Sequence, residues 1–231
     1  MDQFCPDRAA TVSKVLREAG KTITIARLDE TVGGLSKPSK MPWYSYSLPA
    51  LACKVGSMLR EIPNSVCSKC YAMKGRYQFP NVAAAMERRL TRMNLSPIMW
   101  AGTMRELLAR KARGQVQYFR WHDSGDLQHQ AHLDAIMWLA RELPHVKFWL
   151  PTKEYQLVSA NRKELAEIDN LTVRVSAARI GGTRTADDVF PTSSVGADDG
   201  FKCPAYDNGG KCGDCRACWD KTVLNVDYPL H

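Results

Sequence analysis

The chain has 231 residues, of which 45% are hydrophobic and 24% are charged, with a formal net charge of +8, so it can bury the core of one globular domain. No apolar run reaches the length that spans a bilayer, and the N-terminus has no basic stretch followed by an apolar one. These features exclude a transmembrane helix and a secretory signal, and we expect a cytoplasmic protein.

Residues 1–40 are predicted to form an N-terminal extension. Within it, residues 8–19 have the composition of a short helix, and residues 22–28 alternate between polar and apolar side chains as a strand does. A glycine- and serine-containing loop follows over residues 33–40. Residues 43–48 alternate again, which predicts a second strand.

The middle of the chain alternates between predicted helices and strands. Ser96 and Pro97 are typical of an N-cap and of the first helical position. Leu133, Ile136 and Ala140 recur at helical spacing, which predicts that their helix packs one face inward. The predicted helices span residues 81–94, 96–113, 131–143 and 161–168, the predicted strands span 115–121, 145–150 and 171–176, and a loop is predicted over 181–202.

This alternation favours an α/β fold with a parallel sheet and right-handed crossovers. Polar residues follow three of the strands, as they do in a TIM barrel, whose active site lies at the carboxyl ends of the strands. We therefore predict a TIM-barrel-like fold, complete or partial, in a single domain over residues 1–231. The cysteine-bearing loops would complete it, and residues 203–219 would form a C-terminal metal-binding segment.

The most polar strand end contains His122, Asp123 and Asp126, in the sequence His-Asp-Ser-Gly-Asp. We predict that they are catalytic, as acid/base groups, metal ligands or groups that hold a substrate. The alternative is a simple turn in which Asp126 caps the next helix. His129 and His132 lie nearby and are interpreted as residues on the surface of a helix.

Two further strand ends contain polar side chains. Lys153 directly follows the strand that ends near residue 150, and we predict a catalytic role for it, holding a phosphate or carboxylate or neutralising cluster charge. Ser176 and Arg179 follow the next strand and are predicted to bind substrate. The alternative for Lys153 and Arg179 is a long side chain that reaches solvent.

The densest group of cysteines is near the C-terminus, where Cys212, Cys215 and Cys218 follow one another at three-residue steps and Cys203 lies nine residues upstream. This spacing lets consecutive thiolates reach different irons of one [4Fe-4S] cluster, whereas zinc sites more often use separate Cys-x2-Cys pairs. In the cytoplasm such cysteines are more often metal ligands than disulfides. The alternative is four unrelated cysteines.

A second group consists of Cys53, Cys67 and Cys70. Cys67 and Cys70 have the spacing of a metal-binding pair, and Cys53 could fold back to join them. Three thiolates leave one coordination position for substrate or cofactor. The alternative for Cys53 is a buried core residue. Cys5 has no near partner and is interpreted as a free thiol.

Several of these elements, taken in order, resemble the gene-product-eighty-eight family of phages and plasmids, over about residues 35 to 220. They are Tyr46-Ser-Leu-Pro-Ala50 before Cys53, Cys67-x2-Cys70-Tyr71-Ala72, the His122 to Asp126 element, Thr152-Lys153 and the cysteine-rich tail. The resemblance implies a phage-encoded protein in the host cytoplasm, a TIM-barrel-like fold and an iron–sulfur cluster.

The Cys-Tyr-Ala element also resembles radical S-adenosylmethionine proteins, which would add that cofactor. Their usual motif is Cys-x3-Cys-x2-Cys, whereas thirteen residues separate the first two cysteines here.

The leading prediction is an iron–sulfur enzyme with one or two [4Fe-4S] clusters and a small-molecule or anionic substrate. Two chemistries stay open: redox or radical chemistry, and hydrolysis of a phosphoester or glycoside. A protein of another class, a zinc-stabilised nucleic-acid-binding protein, would use the two Cys-x2-Cys pairs as zinc knuckles and the net positive charge for phosphate contacts. A third hypothesis makes the cluster a structural staple in a binding protein.

Overall fold

A computed structural model describes residues 3–184 and 189–230, and its centre is a seven-stranded parallel sheet. The strand order is β1-β2-β3-β4-β5-β7-β6, and every pairing between neighbours is parallel. The strands are β1 Ser45–Tyr46, β2 Gln117–Trp121, β3 Val146–Thr152, β4 Leu171–Ser176, β5 Thr192–Val195, β6 Phe201–Lys202 and β7 Asn225–Tyr228. The predicted α/β class with a parallel sheet is confirmed.

Eight α-helices are described. They are α1 Pro6–Glu18, α2 Ile25–Thr31, α3 Lys54–Arg60, α4 Pro80–Leu95, α5 Pro97–Ala112, α6 Gln130–Glu142, α7 Tyr155–Ala160 and α8 Arg162–Ala166. Short 3₁₀ turns span Gly20–Thr22, Ala50–Ala52, Cys67–Lys69, Tyr71–Met73, Gly75–Gln78 and Ala217–Trp219. No helix in the described part of the chain is long and apolar enough to cross a membrane.

The predicted barrel is not confirmed. Strands β1 and β6 are the two ends of the strand order, and within the described ranges no pairing joins them. The sheet is therefore open where a TIM barrel would close.

The two faces of the sheet have different coverings because side chains alternate along each strand. Phe119, Trp121 and Phe148 lie on one face and pack into the main core, to which α1, α2, α5 and α6 contribute. On the other face, Trp149 packs against Trp219 of the C-terminal segment, with ring centroids 5.3 Å apart. The cysteine-rich tail thus covers the face that the helices leave open.

The N-terminal helix α1 is part of this core. It lies so close to α5 that a Cβ atom on Gly102 would come within 2.6 Å of the Ala9 carbonyl oxygen and 2.7 Å of the Val12 side chain. Glycine is the residue that permits this approach of two helices.

Over two segments the structure differs from the predicted type of secondary structure. Residues 22–28 form the end of a 3₁₀ turn and the start of α2 instead of a strand, because the Thr24 hydroxyl accepts the Arg27 N–H at 3.2 Å and caps that helix. The predicted loop over 181–202 contains β5 and β6. Strand β5 has no hydrophobic pattern in the sequence because most of its side chains are small and carry a hydroxyl group. Ser194, for example, is buried and donates a hydrogen bond to Asp227 Oδ1 at 2.7 Å.

Candidate functional site

The predicted polar strand ends meet at one edge of the sheet, where β2, β3 and β4 end in parallel. Next to this edge lie Cys53, Cys67 and Cys70, the first thiol group. Cys53 precedes α3, Cys67 begins one 3₁₀ turn and Cys70 lies between that turn and the next. The three thiols interact electrostatically with one another, and burial raises the pKa of Cys53 to about 12. The structure therefore brings Cys53 to the Cys67–Cys70 pair.

Gly56 of α3 packs closely against this group. A Cβ atom on Gly56 would lie 2.9 Å from the Cys53 Cβ and 3.6 Å from the sulfurs of both Cys53 and Cys67. The absence of a side chain lets the backbone of α3 approach Cys53 this closely.

Asp126 joins the loop after β2 to the end of β3. Its Oδ1 accepts the Thr152 hydroxyl at 2.6 Å and the Leu127 N–H at 2.8 Å, and its Oδ2 accepts the Lys153 N–H at 2.8 Å. Burial raises the pKa of Asp126 to about 6, although these hydrogen bonds oppose the change. The carboxylate fixes the backbone from which the Lys153 side chain extends.

The Lys153 ammonium lies among the first thiol group, because it interacts with all three thiols as well as with Asp126. Burial lowers the pKa of Lys153, and these neighbours oppose that change. Among the described residues, the Lys153 ammonium forms one hydrogen bond, to the Ala177 carbonyl oxygen at 3.0 Å. Two of its three N–H donors are therefore left for a ligand.

Lys153 also lines a cavity of about 300 Å³ between α3 and the end of β4. Ser176 lines the same cavity, and its hydroxyl accepts a hydrogen bond from Ser193 at 3.1 Å. Arg184 contributes a second cation, with its guanidinium 3.8 Å from the centre of the Tyr155 ring. The remaining lining residues are Val55, Leu59, Val175, Ala177, Ala178 and Thr183.

Arg179 is placed differently from Ser176. It is exposed, it pairs through its backbone with Ser65, and it is absent from the cavity lining. Arg184 instead lines the cavity, where Arg179 was predicted to bind substrate. Its position inside a polar loop gives no sequence signal, because neither helix nor strand periodicity extends to it.

Asp123 is the centre of a separate hydrogen-bond network. Its carboxylate accepts from Ser45 at 3.0 Å, from Ser47, and from the Tyr77 hydroxyl at 3.0 Å. The Tyr71 hydroxyl donates to the Asp123 carbonyl oxygen. Asp123 thus fastens the turns that follow Cys70 to the end of β2.

His122 turns toward the helices and away from the cavity. It has a left-handed backbone, with φ of 53°, and its ring lies 5.3 Å from the ring of His132 between centroids. Burial lowers the pKa of His122 to about 3 and that of His132 well below its usual value. The interpretation of His132 as a surface residue is wrong, because it is fully buried; His129 instead caps α6, accepting the His132 N–H at 3.2 Å.

The second thiol group consists of Cys203, Cys212, Cys215 and Cys218. Cys203 interacts electrostatically with Cys212 and with Cys218, and Cys212 also interacts with Cys215. The Cys218 sulfur lies 3.2 Å from the Tyr228 hydroxyl, and burial raises the pKa of Cys218 to about 11.

Arg174 holds this tail against the open face of the sheet. Its guanidinium donates to the carbonyl oxygens of Ala217 at 2.7 Å, Cys218 at 3.1 Å and Asp220 at 2.7 Å. Trp219 adds a bond from its indole N–H to the Phe119 carbonyl oxygen at 2.8 Å. Arg174 therefore positions the backbone of the second thiol group.

Arg120 lies between the two thiol groups. It interacts electrostatically with Cys212 and Cys218 on one side, and its Nη2 lies 3.4 Å from the Tyr71 hydroxyl on the other. Its guanidinium lies 4.3 Å from the centre of the Trp149 ring. Strand alternation could have indicated this position, because Phe119 and Trp121 face the helices and so Arg120 faces the opposite side.

Across residues 3–184 and 189–230, no group of three or more His, Cys, Asp or Glu side chains could hold a metal ion. A tetrahedral zinc site would bring its sulfurs to about 3.8 Å from one another, given Zn–S bonds of about 2.3 Å. Thiolates that bind different irons of a cubane cluster lie further apart than this. Cys5 belongs to neither group; it precedes α1 and packs against the main core.

A family model described as Gene product 88 matches residues 14–221 of the chain. Neither the search of curated proteins nor the search of solved structures found a match. These comparisons lend no support to the partial resemblance to radical S-adenosylmethionine proteins.

Proposed function

The chain belongs to the Gene product 88 family of phage gene products, and we propose that it is an iron–sulfur enzyme that carries out a redox reaction on an anionic substrate. One observation carries the proposal. Seven of the eight cysteines fall into two groups, one beside Lys153 at the carboxyl edge of the sheet and one beside Arg120 on its open face.

The first thiol group fits a cluster that has one open coordination position. It offers three sulfurs, and Gly56 lets the backbone of α3 pack close to two of them. Among the described residues, no fourth thiol interacts with Cys53 or Cys67. An iron with an open position supplies a place where a substrate can bind and exchange electrons.

The second thiol group fits a cluster with four cysteine ligands. Cys212, Cys215 and Cys218 follow one another at three-residue steps, which suits one cubane, and Cys203 reaches them from the end of β6. Such a site has no open position, so we assign it to electron transfer or to stability.

The cations explain how the chain tolerates so many thiolates in partly buried positions. Lys153 and Arg60 interact with the first group, and Arg120 interacts with Cys212 and Cys218 of the second. A [4Fe-4S] cluster with four thiolates has a net charge of about −2, which such cations stabilise.

The cavity beside Lys153 suits a ligand with a phosphate or carboxylate group. Lys153 and Arg184 supply two positive charges, and Ser176 supplies a hydroxyl group. Val55 and Leu59 form an apolar wall that excludes water from the same space. These residues would hold the anionic group of the substrate while its reacting part lies near the first thiol group.

Hydrolysis by the His122, Asp123 and Asp126 element receives less support. Asp126 already accepts three hydrogen bonds, and Asp123 accepts three through its carboxylate. The His122 ring faces His132, on the side of the helices. The three side chains position the backbone of the site, and no observation directs them toward a water molecule in the cavity.

The proposal is tested by removing each thiol group separately and measuring iron and acid-labile sulfide in protein purified without oxygen. Cys53→Ser should lose about half of the iron, and Cys215→Ser should lose the other half, if each group holds a four-iron cluster. Cys5→Ser is the matched control and should retain all of it. Full iron content in both Cys53→Ser and Cys215→Ser would contradict the proposal.

A further inference from the structure

The stretch from Lys69 to Phe79, which we call the basic–aromatic segment, has an unusual charge distribution. It contains the cations Lys69, Lys74 and Arg76, interleaved with the aromatic residues Tyr71, Tyr77 and Phe79. The sequence has no acidic residue between Glu61 and Glu87, so the segment has a purely positive charge.

These side chains are available at the surface. All three cations are exposed, and within the described residues none of them forms an ion pair. Other exposed cations of the chain do have acidic partners, such as Arg27 with Glu30 at 2.8 Å. Phe79 is 55% exposed and Tyr71 is 47% exposed, so part of each ring is open to a ligand.

The aromatic rings are held in fixed positions. The hydroxyls of Tyr71 and Tyr77 both donate to Asp123, so their polar ends are enclosed while the Tyr71 ring remains half exposed. Their ring centroids lie 5.7 Å apart in an edge-on arrangement. A ring that is already ordered loses little conformational entropy when a ligand stacks on it.

The segment also includes Cys70 and directly follows Cys67 of the first thiol group. A ligand bound along it would therefore pass beside that group. A chain of phosphates with unpaired bases matches both features of the segment, since cations bind the phosphates and exposed rings stack on the bases. A duplex hides its base faces, and an acidic peptide offers few flat rings.

We propose that the basic–aromatic segment binds single-stranded nucleic acid and leads it past the first thiol group. The binding surface depends on Lys74, Arg76 and Phe79 and does not require a cluster. Its consequence for chemistry, that the anionic substrate is a nucleotide within a strand, rests on the proposed function.

The test measures the binding of fluorescein-labelled deoxythymidine and uridine 12-mers by anisotropy, using protein purified without oxygen, at several salt concentrations. Lys74→Ala/Arg76→Ala should weaken binding and reduce the slope of log affinity against log salt by about 1.4, since each phosphate contact to a single strand contributes about 0.7. Phe79→Leu keeps an apolar side chain but removes the ring; it should weaken binding about tenfold and leave the slope unchanged.

Lys21→Ala/Lys163→Ala is the matched control, because it removes two exposed cations from other elements and should bind as the unchanged protein does. Circular dichroism confirms that each variant is folded. Binding that is equally tight for a duplex of the same length, or unaffected by both Lys74→Ala/Arg76→Ala and Phe79→Leu, would overturn the inference. Iron content of the same samples reports on the clusters separately, so the inference and the proposed function can fail independently.

Discussion

The Asp126 carboxylate accepts the backbone N–H of Lys153 at 2.8 Å, across the gap between the ends of β2 and β3. This bond connects the two polar strand ends that the sequence places 27 residues apart. The carboxylate that looks catalytic in the sequence therefore acts on the site by positioning the lysine.

Asp126→Asn should destabilise the protein and disturb the Lys153 backbone. When the side-chain oxygen of the new asparagine accepts from the Thr152 hydroxyl and the Leu127 N–H, its NH₂ group must face the Lys153 N–H. Both of those groups are donors, so neither is satisfied. A buried donor left unsatisfied costs about 1–3 kcal/mol, and urea unfolding measures that loss. Asp207→Asn, at an exposed position, is the control with the same chemical change. Equal stability of both variants would contradict the positioning role.

Gly56→Ala should prevent assembly of the first cluster while leaving the second intact. The added methyl group would lie 3.6 Å from the sulfurs of Cys53 and Cys67 and 2.9 Å from the Cys53 Cβ, so Cys53 would have to move. Iron per chain should fall by about four atoms. Met58→Ala, on the same helix and 65% exposed, should keep its iron. Full iron in Gly56→Ala would show that the close packing at Gly56 has no part in cluster binding.

Arg120→Gln should make the second cluster harder to reduce. Removal of a half-buried cation near Cys212 and Cys218 favours the less negatively charged, oxidised state. We expect the potential to fall by about 50 mV, equivalent to about 1 kcal/mol for one electron, as measured by redox titration with electron paramagnetic resonance. Arg113→Gln, on an exposed residue at the end of α5, is the control. An unchanged or higher potential in Arg120→Gln would contradict this placement.

The buried histidine pair should make the fold sensitive to acid. Burial lowers the folded-state pKa of His122 to about 3 and also lowers that of His132, whereas the unfolded chain takes up protons near pH 6.5. Stability is therefore lost as the pH falls below about 6.5, by about 1.4 kcal/mol per pH unit for each histidine.

His132→Leu removes one of the two protonations, so its stability should fall with about half of that slope between pH 6 and pH 4, relative to the unchanged protein. Urea unfolding at each pH measures the slope. His145→Leu, at the opposite edge of the sheet, is the control. Parallel curves for His132→Leu and the unchanged protein would contradict the contribution of the buried pair.

The parts of the fold that depend on local patterns were predictable from sequence. Ser96 and Pro97 begin α5 as predicted, with the Ser96 hydroxyl accepting the Met99 N–H at 3.3 Å. Leu133, Ile136 and Ala140 are all buried on α6. The strands that alternate cleanly, such as β2 and β4, lie where they were predicted to lie.

The parts that depend on distant contacts were not predictable. Strand β5 is buried through hydroxyl groups bonded to β7, 33 residues away, and so it has no apolar pattern. Arg174 would be expected at the surface because it is charged. It is instead fully buried, because four carbonyl oxygens of distant segments accept its hydrogen bonds. The spacing of the cysteines predicted two groups. No pattern in the sequence indicates that Gly56 and Arg184 lie beside the site, because only the fold brings them there.

The most direct test of the central claim is the iron, sulfide and zinc content of the unmodified protein, purified without oxygen and examined together with its absorption spectrum. Two four-iron clusters predict a brown protein with about eight irons and about eight sulfides per chain. A colourless protein that contains stoichiometric zinc and no sulfide would contradict the account, because both thiol groups would then bind single ions.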